Sequence, residues 1–259
     1  MTKLSRMYRQ IGKALRSLRH PLSRTALRHG VAPSFEHFEI LQGLKNIECF
    51  VDVGANVGQF SLLCKIIYPN ASIHAFEPLN EAAKIFQNVL GNQTNIHLHR
   101  HAIGSKAANQ LINVTARSDS SSLLAPDAQT KVFPGTHAVS QQAVSVLPLQ
   151  DILRDEDIPS PALLKIDVQG YEGEVLKGSE SLLQSFEWIY CEASFIELYS
   201  GQPLAHEIIA WLAARQFRLV SVNCDGSILK EGRIVQADFL FRRVNSPAQL
   251  LFSAQHDPE

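Results

Sequence analysis

Cysteine is scarce in this 259-residue chain, and the four present, Cys49, Cys64, Cys191 and Cys224, lie far apart with no CxxC pair. That spacing excludes a zinc ribbon or a disulfide scaffold, and it reads as reduced core thiols of a cytoplasmic protein. Long apolar runs are missing too. None approaches the roughly 20 residues of a membrane-spanning helix, and the N-terminus lacks the unbroken apolar core of a secretory signal. Triplets such as Asn113-Val-Thr115 are therefore not expected to carry glycan. The formal net charge is only −1, so the whole molecule has no general attraction for nucleic acid or an acidic surface.

Acidic residues are absent from the first 30 positions, where Lys3, Arg6, Arg9, Lys13, Arg16, Arg19, Arg24 and Arg28 accumulate. Leu4, Met7, Ile11, Leu15, Leu18 and Leu22 recur there at spacings of three and four, so the segment reads as a helix with an apolar stripe and a cationic face, interrupted at Pro21. Three readings stay open for residues 1–30: a helix packed on the main domain, a contact with a membrane surface or acidic partner, or a mitochondrial presequence.

At 45% hydrophobic residues the chain can bury one substantial core. It divides into a basic helical extension (1–45, with a second short helix at 35–44), a main domain (46–243) and a polar tail (244–259). In the main domain short apolar runs alternate with helical periodicity, the signature of a parallel sheet covered by helices on both faces. Strands are expected at 49–53, 72–76, 96–100, 162–167, 188–192, 218–223 and 235–241. Helices are expected at 58–67, 80–90, 172–185 and 205–215. An insertion at 104–161 is too long for an ordinary connection; extra strands at 110–115 and 143–147 are expected within it, and it is the candidate substrate lid.

The chemistry gathers at strand ends. Asp52-Val-Gly-Ala-Asn-Val-Gly58 follows a strand and precedes a helix, so Gly54, Ala55, Asn56 and Gly58 form a turn at which backbone approaches a nucleotide-like ligand. A third glycine of the dinucleotide fingerprint is missing. A dinucleotide needs helix N-terminal amides for its pyrophosphate, whereas S-adenosylmethionine has an amino acid and no phosphate, and Asp52 suits its ammonium directly or through water. Glu77-Pro78 ends the next strand, where an acid accepts ribose hydroxyls. His101 and Ala102, after the third strand, are placed near the adenine.

The fourth strand, Leu163-Leu-Lys-Ile-Asp-Val-Gln-Gly-Tyr-Glu172, puts Lys165 and Asp167 on one face of an otherwise apolar run. Burying such charges is costly unless they are paired or used. Glu192, at the end of the fifth strand, lies near Asp167 if the two strands are neighbours.

Together these residues resemble the FkbM family of methyltransferases, over roughly residues 30–242. The likeness rests on Asp52–Gly58, Phe76–Pro78, Ser120-Ser-Ser-Leu123, Lys165–Glu172, Glu192 and Ala237-Asp-Phe-Leu-Phe241. Gln169 departs from it, standing where the family often has Glu, and no role is assigned there. The resemblance implies a Rossmann-like seven-stranded, mostly parallel α/β sheet and methyl transfer from S-adenosylmethionine to a hydroxyl of a sugar, glycan or small natural product, with no nucleic-acid partner. The candidate catalytic residues are Asp167, Glu192 and Glu172 as base, with Lys165 orienting a carboxylate; Asp167 also borders the cofactor. A divalent metal on Asp167 and Glu192 is a less favoured alternative. The rivals are an NAD-dependent oxidoreductase and a non-catalytic cofactor-binding scaffold recruited through its basic N-terminus.

Overall fold

The computed structural model describes residues 20–224 and 232–244. The amphipathic stripe expected over residues 1–19 and the polar tail from 245 lie outside these. Within them, Pro21 opens a helix: α1 (Pro21–Arg28) has proline in its first turn, where the missing N–H is not needed, and His20 Nδ1 accepts from the Leu22 N–H at 3.3 Å. A single 3-10 turn at Phe35–His37 then leads into α2 (Phe38–Gly43).

The apolar runs form β1 (Cys49–Val53), β2 (Ser72–Phe76) and β3 (Ile96–His99), connected by α3 (Gln59–Ile67) and α4 (Asn80–Leu90). Just before the insertion, β4 (Ala102–Ile103) joins two strands within it, β5 (Ala108–Thr115) and β6 (Ala138–Leu147), in a separate three-stranded sheet, with α5 (Gln129–Val132) in the β5–β6 connection. Both inserted strands begin earlier than expected, because they pair with each other antiparallel from Ala108↔Val146 to Thr115↔Ala138, beyond their apolar cores. The chain then gives β7 (Ala162–Ile166), α6 (Glu172–Gly178), β8 (Trp188–Ser194), α7 (Ala205–Ala213), β9 (Phe217–Asn223) and β10 (Gln236–Arg243). The helix expected over 172–185 stops at Gly178; Ser179 donates to the Val175 carbonyl at 2.8 Å, and a 3-10 segment follows at Glu180–Ser185.

Among the described residues the large sheet has seven strands in the order β3-β2-β1-β7-β8-β10-β9, parallel except for β10. The strand order reverses between β1 and β7, so their carboxyl ends open a crevice, the usual ligand position in such sheets. The three-stranded sheet closes one side of it through Ile112, Val144 and Val146, which pack on Leu79 and Ala82 of the β2–α4 region.

Strand alternation sorts the sheet's two faces. Val51, Leu164, Ile189 and Phe239 join one core cluster, whereas Phe50, Leu163, Tyr190 and Leu240 join another. With a period of two, Asp52, Lys165, Glu192 and Asp238 fall on the second face. Each sits two residues from an apolar member, toward the ligand-binding edge. Phe50 and Phe241 are wholly buried, and truncating either to alanine is expected to cost about 3–5 kcal/mol. That apolar sandwich holds the polar row in register.

Candidate active site

Two glycines shape the turn after β1. Gly54 has φ +83°, and a Cβ there would lie 1.9 Å from the Asp167 carbonyl oxygen; Gly58 has φ +93° and packs on Phe86. Left-handed geometry and close approach together demand glycine at both. The Gly54 and Ala55 N–H groups donate to the Phe76 carbonyl at 3.1 and 3.0 Å, tying the turn to the end of β2. A cavity opens here, lined by Gly54, Ala55, Asn56, Glu77, Pro78, His101, Ala102, Lys165 and Asp167. These sequence-predicted residues are therefore brought together.

Glu77 is 5% exposed, and its oxygens accept from the Asn56 N–H at 2.8 Å and the Leu79 N–H at 2.7 Å. Burial outweighs those bonds and pushes its carboxyl up to about 7. His101 borders the cavity with a buried Nδ1 that has no hydrogen-bond partner among the described residues.

Asp52 and Lys165 are register partners on β1 and β7. Asp52 is fully buried behind the cavity wall; Ser61 donates to its Oδ2 at 2.6 Å, and its Oδ1 is 3.5 Å from Lys165 Nζ. Lys165 also lies 3.4 Å from Asp167 Oδ2 and donates to the Gly54 carbonyl at 3.4 Å. Burial works against its charge, but Asp167 and Asp52 hold the ammonium above its ordinary value. Asp167 is also subject to burial, yet Lys165 and a Gln169 hydrogen bond keep it below the usual carboxylate range.

Glu172 and Glu192 stand apart from the cavity lining. Glu172 Oε1 accepts from the Val168 and Gly170 N–H groups at 3.1 and 3.0 Å, bracing the turn after β7, and burial lifts its carboxyl to about 7. Glu192 does lie beside Asp167, as the adjacent strands require, but through an intermediary. Gln169 Nε2 donates to Asp167 Oδ1 at 2.8 Å and to Glu192 Oε2 at 2.9 Å, while Gln236 donates to Glu192 Oε1 at 2.7 Å. Burial, with Asp167 and Asp238 nearby, raises the Glu192 carboxyl well above its ordinary value. Among the described residues no three His, Cys, Asp or Glu side chains are grouped as metal ligands would be.

Several residues of the site had no assigned role in the sequence. Gln169 sits at φ +57°, and its carbonyl accepts from the Ser122 hydroxyl at 2.6 Å, which fastens the insertion to the β7 turn. Asp119, Ser121 and Leu123 of the insertion reach the cavity, as do Glu36 and His37 of the segment before β1. His37 Nδ1 is 3.0 Å from the Tyr190 hydroxyl and 3.7 Å from Asp238 Oδ2. No sequence motif marks His37.

Residues 52–219 match the model of the methyltransferase FkbM domain. The hexuronic acid methyltransferase AglP of Haloferax volcanii is 26% identical over 62% of this chain and 60% of its own length. Methyltransferase sdnD of Sordaria araneosa is 30% identical over 70% of this chain and 78% of its own. The 31-O-demethyl-FK506 methyltransferase FkbM of Streptomyces tacrolimicus is 25% identical over 76% of this chain and 79% of its own. The chain spans about three fifths of the length of some curated relatives it matches, AglP among them. With the domain model covering well over half of its residues, from the end of β1 into β9, the chain belongs to the FkbM methyltransferase family.

Proposed function

We propose that the chain is an S-adenosylmethionine-dependent O-methyltransferase acting on a hydroxyl of a glycan or small natural product. The observation that carries this is a single cavity at the β1/β7 switch point that joins the glycine turn and Glu77 to Asp167 and Lys165. The residues present suit the cofactor. Glu77 uses one lone pair of each oxygen on backbone amides and keeps the others for ribose hydroxyls. His101 Nδ1 is a buried polar atom in want of a partner, at the adenine end. The sulfonium carries an already activated methyl group, so the protein must chiefly align donor and acceptor and exclude water.

Asp52, sealed behind Lys165, acts by fixing that lysine rather than by meeting the cofactor's ammonium. Asp167, half-buried and lining the cavity beside Lys165, positions the acceptor hydroxyl. Ile112, Ser121 and Leu123 close the cavity from the insertion side. The hexuronic acid named for AglP and the 31-O position named for FkbM support oxygen as the acceptor atom, and the family match favours methyl over hydride transfer. Four unpaired cysteines favour a cytoplasmic setting; among the described residues no helix is long and apolar enough to cross a membrane.

The test is label transfer from methyl-tritiated S-adenosylmethionine to a panel of neutral sugars, uronic acids and hydroxylated macrolides, alongside calorimetry with S-adenosylhomocysteine. Saturable S-adenosylhomocysteine binding and base-stable label in an acceptor support the reading. Absence of binding, or absorbance change with a nicotinamide instead, overturns it.

A further inference from the structure

The insertion meets the turn after β7 through alternate residues. Asp119, Ser121 and Leu123 line the cavity, whereas Ser120 and Ser122 are buried and act as anchors. The Ser122 hydroxyl donates to the Gln169 carbonyl at 2.6 Å and accepts from the Leu124 N–H at 3.0 Å. The Ser120 carbonyl is 3.0 Å from the Tyr199 hydroxyl. The wall an acceptor would meet is therefore pinned at two points, on Gln169 itself and on its neighbour Tyr199.

Gln169 sits at φ +57°, in the left-handed region that is unfavourable for a residue with a Cβ. Such geometry persists where surrounding contacts over-determine it. Here they use the side chain completely. Nε2 gives one hydrogen to Asp167 Oδ1 at 2.8 Å and the other to Glu192 Oε2 at 2.9 Å, while Oε1 is 3.1 Å from the Tyr199 hydroxyl. Turned over, the amide would set its oxygen against the ionised Asp167, with no proton between them. Tyr199 is held in turn, 2% exposed and with its ring against Gly170, where a Cβ would lie 3.0 Å away. Its phenol has one proton and two acceptors before it, the Ser120 carbonyl and the Gln169 amide oxygen, so the insertion and the amide compete for it.

We propose that Gln169 is a positioning residue for methyl transfer: it orients Asp167 toward the acceptor and registers that carboxylate against the cavity-facing residues of the insertion, Asp119, Ser121 and Leu123. The inference rests on the methyl-transfer reading above. The Gln169 amide on Oδ1 and the Lys165 ammonium 3.4 Å from Oδ2 fix both oxygens of Asp167. Displacing the insertion moves the Ser122 and Ser120 anchors, and through the backbone and Tyr199 it moves the amide that holds Asp167. Coupling of this kind is reciprocal, so a change at the amide must also loosen the insertion. An acceptor seated against Ser121 and Leu123 meets Asp167 at a fixed offset only while both links hold.

The experiment uses the full chain saturated with S-adenosylhomocysteine, and two variants. Gln169→Met is of similar length without hydrogen-bonding groups, and Tyr199→Phe keeps the ring against Gly170. Carbon-13 NMR of aspartate-labelled protein, with Asp167 assigned through Asp167→Asn, should show its titration midpoint rise by about one unit in Gln169→Met, the scale of one hydrogen bond to a carboxylate. Tyr199→Phe should move it the same way, although the Tyr199 hydroxyl bonds to Gln169 and Ser120 rather than to Asp167. The ionisable groups facing Asp167 are Lys165 and Glu172 from its own strand and turn, Glu192 on β8, Asp238 on β10, His37 before β1 and the neutral Tyr199 phenol; all but that phenol are unchanged in both variants. In the reverse direction, hydrogen exchange at the Leu124 N–H should quicken about tenfold in Gln169→Met, although Ser122 bonds only to backbone there. Should either variant fail to fold, Ser122→Ala removes the other anchor and should raise the same midpoint. A merely structural role for Gln169 would lower the melting temperature and leave Asp167 alone. A parental Asp167 midpoint in a folded variant, or parental Leu124 exchange in Gln169→Met, overturns the proposal. Failure of the parent to bind S-adenosylhomocysteine sinks the methyltransferase reading instead, and the same measurements on the ligand-free protein then decide the coupling.

Discussion

Asp167 and Glu192, on neighbouring parallel strands, share one donor: Gln169 Nε2, at 2.8 Å from the first and 2.9 Å from the second. The amide has two hydrogens and uses both, one on each carboxyl group, so a single side chain ties the two strand ends together. Its oxygen faces the Tyr199 hydroxyl at 3.1 Å, which fixes which way round the amide lies.

Replacing that donor by Gln169→Glu puts a third carboxylate against the other two. One of the three is then raised and takes up a proton in the folded state. A group raised on folding stabilises only while protonated, so the variant's deficit should grow as pH climbs above the ordinary glutamate value of 4.5. Thermal melts near pH 5 and near pH 8, compared with the parent, check this. An equal deficit at both would show that the amide's donors are not the issue.

Glu77→Ala should weaken S-adenosylhomocysteine binding while leaving the protein folded. In the parent, affinity should decline as pH drops below about 7, where the buried Glu77 carboxyl becomes protonated and loses acceptor capacity. Calorimetry across that range reads both effects; unchanged affinity in the folded variant would remove Glu77 from the cofactor site.

Asp167→Asn is expected to lower turnover by about 10²–10³, the scale for losing an oriented polar group at the reacting centre, with a smaller effect on cofactor affinity. Near-normal turnover would take Asp167 out of the mechanism.

Glu172→Gln separates a structural acid from a catalytic one. Both backbone contacts go to Oε1, and the glutamine carbonyl can keep them. Turnover should stay close to that of the parent. Burial has raised the Glu172 carboxyl from 4.5 to about 7, so its contribution to stability is present below 4.5 and lost as pH rises toward 7. The variant should lack that decline in unfolding temperature. His99 works in the opposite sense: burial and the neighbouring histidines lower it from 6.5 to about 4, so it costs stability as pH falls through that window. A large loss of turnover in Glu172→Gln would restore it as a candidate base.

Gly54→Ala tests the turn. The left-handed φ costs about 1–2 kcal/mol, and the methyl group would meet the Asp167 carbonyl 1.9 Å away. A lower melting temperature together with weaker S-adenosylhomocysteine binding is expected; parental values for both would mean that the turn relaxes freely.

Local pattern alone determined most of the architecture. The apolar runs at 49–53 and 72–76 are strands of those same bounds, and the glycines at 54 and 58 sit in the left-handed geometry a strand-to-helix turn requires. That Glu77, Lys165 and Asp167 gather at one cavity was legible because a charge at the end of an apolar strand has few inexpensive places to go. Which charge faces the cavity was decided by the tertiary structure. Register on β1 and β7 pairs Asp52 with Lys165 and withdraws it from the cavity, and the turn after β7 spends Glu172 on backbone amides. Gln169 and His37 escaped any sequence reading for the same reason. Their partners lie 23 and 153 residues away along the chain, and a hydrogen bond between such positions exists only once the sheet has brought its strand ends together.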